Sequence, residues 1–127
     1  MEIALRALLL ADAGVSALAG DRINYGTHPT GAAFPGIVMN AISDQEELHM
    51  NGKGPGRVRM QIDCYAQTYA AAKQTGDAVN ALLNAYQGGE FLFVQQVLRA
   101  RSREGGTDEA ERPFRDRQDF IIHWREN

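Results

Sequence analysis

The chain has 127 residues, 44% of them hydrophobic and 23% charged, the size and balance of one globular domain that buries about two thirds of its unfolded surface. Its formal net charge of -3 at pH 7 supplies no basic surplus, which excludes a nucleic-acid or acidic-membrane grip driven by bulk charge. The single cysteine, Cys64, excludes an internal disulfide framework and a cysteine-cluster zinc site.

Residues 2–19 place Ile3, Ala7, Leu10, Ala11 and Leu18 on one side of a helix, with Glu2, Arg6 and Asp12 toward water and Gly20 as its stop. The apolar run faintly mimics a secretion signal, but Glu2 stands where positive charge belongs, and Arg6 and Asp12 bracket a run that is too short. No window approaches the roughly 20 apolar residues of a membrane span. Cytosolic synthesis and no membrane partner are therefore expected. Residues 21–35 read as a loop broken by Gly26, Pro29, Gly31 and Pro35, and residues 36–42 as a short strand. Residues 43–56 are polar and end in Gly52-Lys53-Gly54-Pro55-Gly56, which predicts a long mobile arm between two antiparallel strands.

From Arg57 the residues alternate. Val58, Met60, Ile62, Cys64 and Ala66 point one way, and Arg57, Arg59, Gln61, Asp63 and Tyr65 the other. The period changes at Thr68, after which Tyr69, Ala72, Val79, Leu83 and Tyr86 recur at helical spacing until Gly88-Gly89. Residues 90–102 form a further strand, with Leu92, Val94, Leu98 and Ala100 expected on its buried face. Residues 103–113 are charge-rich and glycine-broken and predict a second protruding arm. In the last strand, residues 114–125, Phe120, Ile122 and Trp124 share a face opposite Arg115, Arg117, Asp119 and His123. The pattern predicts a single α+β domain over 1–127. It is a two-layer sandwich, an antiparallel sheet of about four strands with two helices packed on one face.

Catalytic chemistry finds little support. Gly52-Lys53-Gly54-Pro55-Gly56 precedes a strand, whereas a phosphate cradle needs a helix N-terminus after it, and no Ser or Thr follows Lys53. His28, His49 and His123 are far apart, with no partner at metal-ligand spacing. Cys64 and His123 belong to opposite faces of the sheet by parity, so they cannot form a nucleophile–base pair. The acidic groups Asp44, Glu46, Glu47 and Asp108, Glu109, Glu111 lie in polar segments with no contrasting environments. No catalytic residue, metal or cofactor is assigned.

The face of the sheet that helices leave uncovered is the remaining signal. It is expected to present Arg57, Arg59, Asp63, Tyr65, Arg99, Arg115, Arg117 and Asp119, with Phe91, Phe93, Val97 and Ile121 among them. Such a face is either a solvated surface or a contact between copies of the chain, where arginine and aromatics are enriched.

The order of motifs resembles the phage tail-completion, or tail-terminator, family of head–tail joining proteins. The likeness runs from the leucine-bearing first helix through Gly20-Asp21-Arg22-Ile23 and the loop from His28-Pro29 to Phe34-Pro35. It continues through Gly36-Ile37-Val38-Met39, Asp63, Tyr65-Ala66-Gln67-Thr68-Tyr69 and the alanine-rich helix to a closing two-strand hairpin. It covers nearly the whole chain; Cys64 stands where a generic apolar or aromatic residue is usual. The resemblance implies a non-enzymatic virion protein of a long-tailed phage or phage-derived gene transfer particle, assembled in the bacterial cytoplasm. It implies a hexameric ring that caps the tail tube, ends its growth and receives the head connector, with DNA passing through without specific binding. The implied partners are further copies of the chain, the tail tube protein and the connector or stopper. Glu46, Glu47, Lys53, Arg103, Asp108, Glu109 and Glu111 become candidates for partner contact on the two arms. The alternatives are a neighbouring stopper or adaptor of the neck and, more remotely, a stand-alone small-molecule-binding domain.

Overall fold

The computed structural model describes residues 1–29, 31–49, 52–103 and 113–125, without the side chains of 44–49, 52–54 and 103. In chain order the elements are α1 (Glu2–Ala11), α2 (Ala13–Ala19), β1 (Ile23–Tyr25), β2 (Gly36–His49), β3 (Gly52–Ala66), α3 (Tyr69–Leu83), β4 (Phe91–Arg103) and β5 (Phe114–Trp124). The strands form one sheet in the order β1-β2-β3-β5-β4. The fold is the expected α+β sandwich, with three refinements.

First, the N-terminal helix is two helices, and their buried side is Leu5, Leu9, Val15 and Ala19, whereas Ile3, Ala7 and Ala11, expected on the apolar side, are exposed. Asp12 is extended, and its carboxylate accepts from the Val15 amide at 2.9 Å, capping α2. Second, the predicted loop after Gly20 contains β1, which runs parallel to β2 and makes the sheet five-stranded and mixed. Three hydrogen bonds tie this corner together: Arg6 Nε to the Ile23 carbonyl (2.7 Å), Arg22 Nε to the Pro35 carbonyl (2.9 Å) and the Tyr25 hydroxyl to the Glu2 carbonyl (2.7 Å). Third, the segment 43–56, expected to be irregular, is largely paired strand, from Ser43↔Arg59 out to His49↔Gly52. Its glycines and proline are poor strand formers, but an antiparallel neighbour supplies the pairing that composition does not reveal.

The helices and one face of the sheet enclose the core. Leu5, Leu9, Val15, Val79 and Leu83 meet Ile37, Met39, Val58, Met60, Ile62, Cys64, Phe120 and Ile122, all fully buried. Thr68 opens α3 as predicted, its hydroxyl accepting from the Ala71 amide at 3.1 Å. The helix ends at Leu83, short of Gly88-Gly89, with Ala85 at φ 67. One end of the layer under α3 is polar. Gln118 Nε2 donates to the Gly76 carbonyl (2.8 Å), Gln96 Nε2 to Gln118 Oε1 (3.1 Å) and Asn80 Nδ2 to Gln96 Oε1 (2.7 Å).

The predicted faces of β3 and β5 hold. Those of β4 do not, because it carries two extra residues. Phe91 pairs with Trp124 and Phe93 with His123, leaving Leu92 over; Gln96 pairs with Phe120 and Leu98 with Asp119, leaving Val97 over. Each bulge inverts the alternation. Phe91, expected on the open face, is therefore in the core, while Leu92 and Leu98, expected inside, are exposed. Ala100, likewise expected inside, is exposed. β4 is the outer strand, and its start is paired with the turn after α3 through Ala85 N–H to the Val94 carbonyl (2.7 Å) and Val94 N–H to the Tyr86 carbonyl (3.1 Å).

Candidate assembly surface

The uncovered face is built from every second residue of β3 and its register partners on β5. Arg57 lies opposite His123, Arg59 opposite Ile121, Gln61 opposite Asp119, Asp63 opposite Arg117 and Tyr65 opposite Arg115. Seven of the eight residues proposed for this face are thus brought together. The exception is Arg99, a correction caused by the bulge at Val97. It lies on the helix side, where its guanidinium meets the fully buried Asp116 at 2.7 Å and Asp77 of α3 at 2.8 Å. Two carboxylates and direct bonds to both hold Arg99 above its usual range.

The open face is an arginine ladder laid over buried carboxylates. Arg59 and Arg117 both bond Asp119, at 2.9–3.0 Å and 3.1 Å. Arg115 bonds Asp63 through two contacts of 2.8 and 3.1 Å, and Gln61 Nε2 adds a third at 2.7 Å. Asp119 is 0% exposed and Asp63 2%, while Arg59 and Arg117 keep over a third of their side-chain surface in water. What reaches solvent is therefore mostly guanidinium. Burial acts to raise the Asp119 carboxyl, but the hydrogen bonds and charges of Arg117 and Arg59 together outweigh it and leave it below the usual carboxylate range. Removing two charges from water offsets much of what such pairs gain.

That shift fixes a pH response. A carboxylate depressed in the folded state contributes stability above its unfolded value, about 3.9 for Asp, and loses it as pH falls through the folded value. Denaturation midpoints between pH 6 and pH 2 should therefore fall more steeply for the wild type than for Asp119→Asn, with the divergence opening below about pH 5. Parallel curves would show that the ladder is not ionically held.

One end of this face is hollowed. The loop after β1 rises beside it and borders an open cleft of about 630 Å³ lined by His28, Phe34, Val38, Asn40, Asp63 and Tyr65, among others. His28 stacks on Phe34 at 4.6 Å, and its Nδ1 is buried with no partner among the described residues. Breaker residues are the sole mark of this concavity along the chain, because the loop and the strands meet only in the fold. Cys64 lies in the core opposite His123, and burial, with the charges of Asp116 and Asp63, pushes its thiol well up, so it is a neutral core group. Among the described residues no three His, Cys, Asp or Glu side chains converge as metal ligands would. Of the arm candidates, Glu46, Glu47, Lys53 and Arg103 lie on strand backbone with side chains outside the described set. Asp108, Glu109 and Glu111 lie outside the described residues altogether.

The sequence profile of the tail completion protein gp17 family matches residues 3–122. The chain belongs to that family. It is a tail completion protein, a structural component of the virion tail, and the resemblance read from its motifs holds. Its fold is similar to that of a chain in the virion of a native gene transfer agent particle, with a TM-score of 0.69, 18% identity and 95% of each chain covered. No curated protein sequence matches it.

Proposed function

We propose that this tail completion protein is the subunit of a hexameric ring that caps the tail tube, ends its polymerisation and joins the tail to the head connector. The observation that supports the reading best is the uncovered sheet face, with Arg59, Arg115 and Arg117 locked over Asp63 and Asp119. Locked, mixed-charge rows suit a contact with one orientation, and a head-to-tail contact whose rotation closes gives a ring. Arg57 and Tyr65 extend the same face. The β2–β3 hairpin at 43–56 and the segment 103–113 carry contact beyond the ring body. The role is scaffolding, without catalysis or cofactor. With a net charge of -3, the ring lets DNA pass without gripping it.

The test is assembly without the chain. Tail tubes made in its absence should lack a fixed length and fail to join heads. Normal tails joined to heads in its absence would refute the reading. A label on the chain found beyond an already capped tube would assign it instead to the neighbouring stopper or adaptor layer.

A further inference from the structure

The cleft at one end of the open face has no part in the ring reading. Its volume of about 630 Å³ lies within the roughly 300–1,000 Å³ of ligand sites. Its loop wall is held in place by the chain itself. His28 stacks on Phe34, His28 Nε2 lies 3.3 Å from the Ala32 carbonyl, and Arg22 Nε donates to the Pro35 carbonyl at 2.9 Å. A wall already formed adds little ordering cost to binding.

The lining decides which chemistry fits. Among the described residues that border the cleft there is no lysine or arginine, so a phosphate or carboxylate ligand finds no counter-charge there. The one carboxylate, Asp63, is 2% exposed and already accepts from Arg115 and Gln61, so a cation gains little. What stands unused is amide. Asn40, half-buried on β2, and Gln67, exposed, make no side-chain hydrogen bond among the described residues. A side-chain amide donates and accepts at once, which matches a peptide group. Pro29, Phe34 and Val38 supply apolar lining beside them. We infer that the cleft holds an extended, uncharged segment of another protein of the tail, with a proline or small aliphatic side chain on the apolar lining and its peptide groups on Asn40 and Gln67. Prolyl segments suit aromatic-lined grooves, because they are extended before they bind. A second copy is the poorer source of such a segment. Of the chain's 4 prolines, Pro29 and Pro113 line the cleft itself, Pro35 is held by Arg22 and Pro55 lies within β3. The inference needs only membership of the tail and stands apart from the ring.

The test is a crosslinker set at the cleft. Cys64 is fully buried, so a benzophenone maleimide on Gln67→Cys labels that position alone. Irradiated in purified tails, it should join the chain to a different tail protein, at an uncharged stretch that holds a proline or small aliphatic residue. Ala33 lines the cleft and is exposed, so Ala33→Trp fills the space without entering the core. It should cut the crosslink several-fold and leave the urea midpoint of the chain unchanged. No link, a link only to a second copy or to residues 104–112 of the same chain, or a link to a charged stretch would overturn the inference. So would a yield that Ala33→Trp does not lower. Isotope-labelled chain in solution gives a second measurement. N-acetyl-Ala-Pro-Ala-amide at millimolar concentration should move the amide signals of Val38, Asn40 and Tyr65, and AMP should leave them in place. Movement with AMP, or none with the peptide, would overturn the inference too, and neither result touches the ring reading.

Discussion

Replacing Trp124 with alanine is expected to destabilise the fold by about 3–5 kcal/mol, the usual range for an aromatic truncated in a packed core. Trp124 ends β5, stands in register with Gly56 of β3 and Phe91 of β4, and is only 8% exposed. Its ring lies where a side chain on Gly56 would be, and an added Cβ there would run into the indole. Truncation therefore empties the junction of three strands at the base of the hairpin. Gly56→Ala should cost about 1–3 kcal/mol from the opposite cause, overpacking. Trp124→Phe should cost much less than alanine, because a phenyl ring keeps most of the packing and loses an indole N–H that is buried without an acceptor among the described residues. Urea midpoints at constant slope measure all three. A loss below about 1 kcal/mol for Trp124→Ala would show that the ring is not part of the packed core.

Gly76→Ala should destabilise by about 1–3 kcal/mol, although the same change in an exposed helix interior stabilises by about 1 kcal/mol. The reversed sign is the diagnostic. Gly76 packs α3 against β5, and an added Cβ would meet the Asp116 carboxylate, with Gln118 Nε2 at 2.9 Å. Asp116 cannot swing aside cheaply, because Arg99 holds it through contacts of 2.7–3.2 Å and Arg99 is also anchored to Asp77. A thermal or chemical melt that shows Gly76→Ala to be neutral or stabilising would mean that the polar seam is loose enough to yield.

The open face was legible because β3 and β5 obey a strict alternation. Wherever Val58, Met60 and Ile62 go inward, Arg57, Arg59 and Gln61 must go outward. The same rule misplaced Arg99 and Phe91, since an extra residue in β4 leaves no mark in a run as uniformly strand-like as Phe91–Arg103. Asp116 and Gln118 were hidden differently. Residues 115–119 are polar at every position, so the two at core parity did not stand out. The available signal was the glycine inside α3, because a buried polar pair needs a partner and Gly76 supplies both the space and a carbonyl. β1 was lost among breakers, being three residues long, and Asp12 was read as a wet side of one helix when it caps a second. The cleft beside the loop with His28 and Phe34 was beyond reach, because no local pattern records which distant strand a loop will meet.

The outer strand β4 shapes how copies can meet. Its first residues are already bonded to the turn after α3, and the extra Val97 interrupts the even spacing of free amides and carbonyls farther along. A foreign strand finds no unbroken row to zip onto. Open-ended accretion along that border is discouraged, and the chain is thereby kept from starting a fibre of its own.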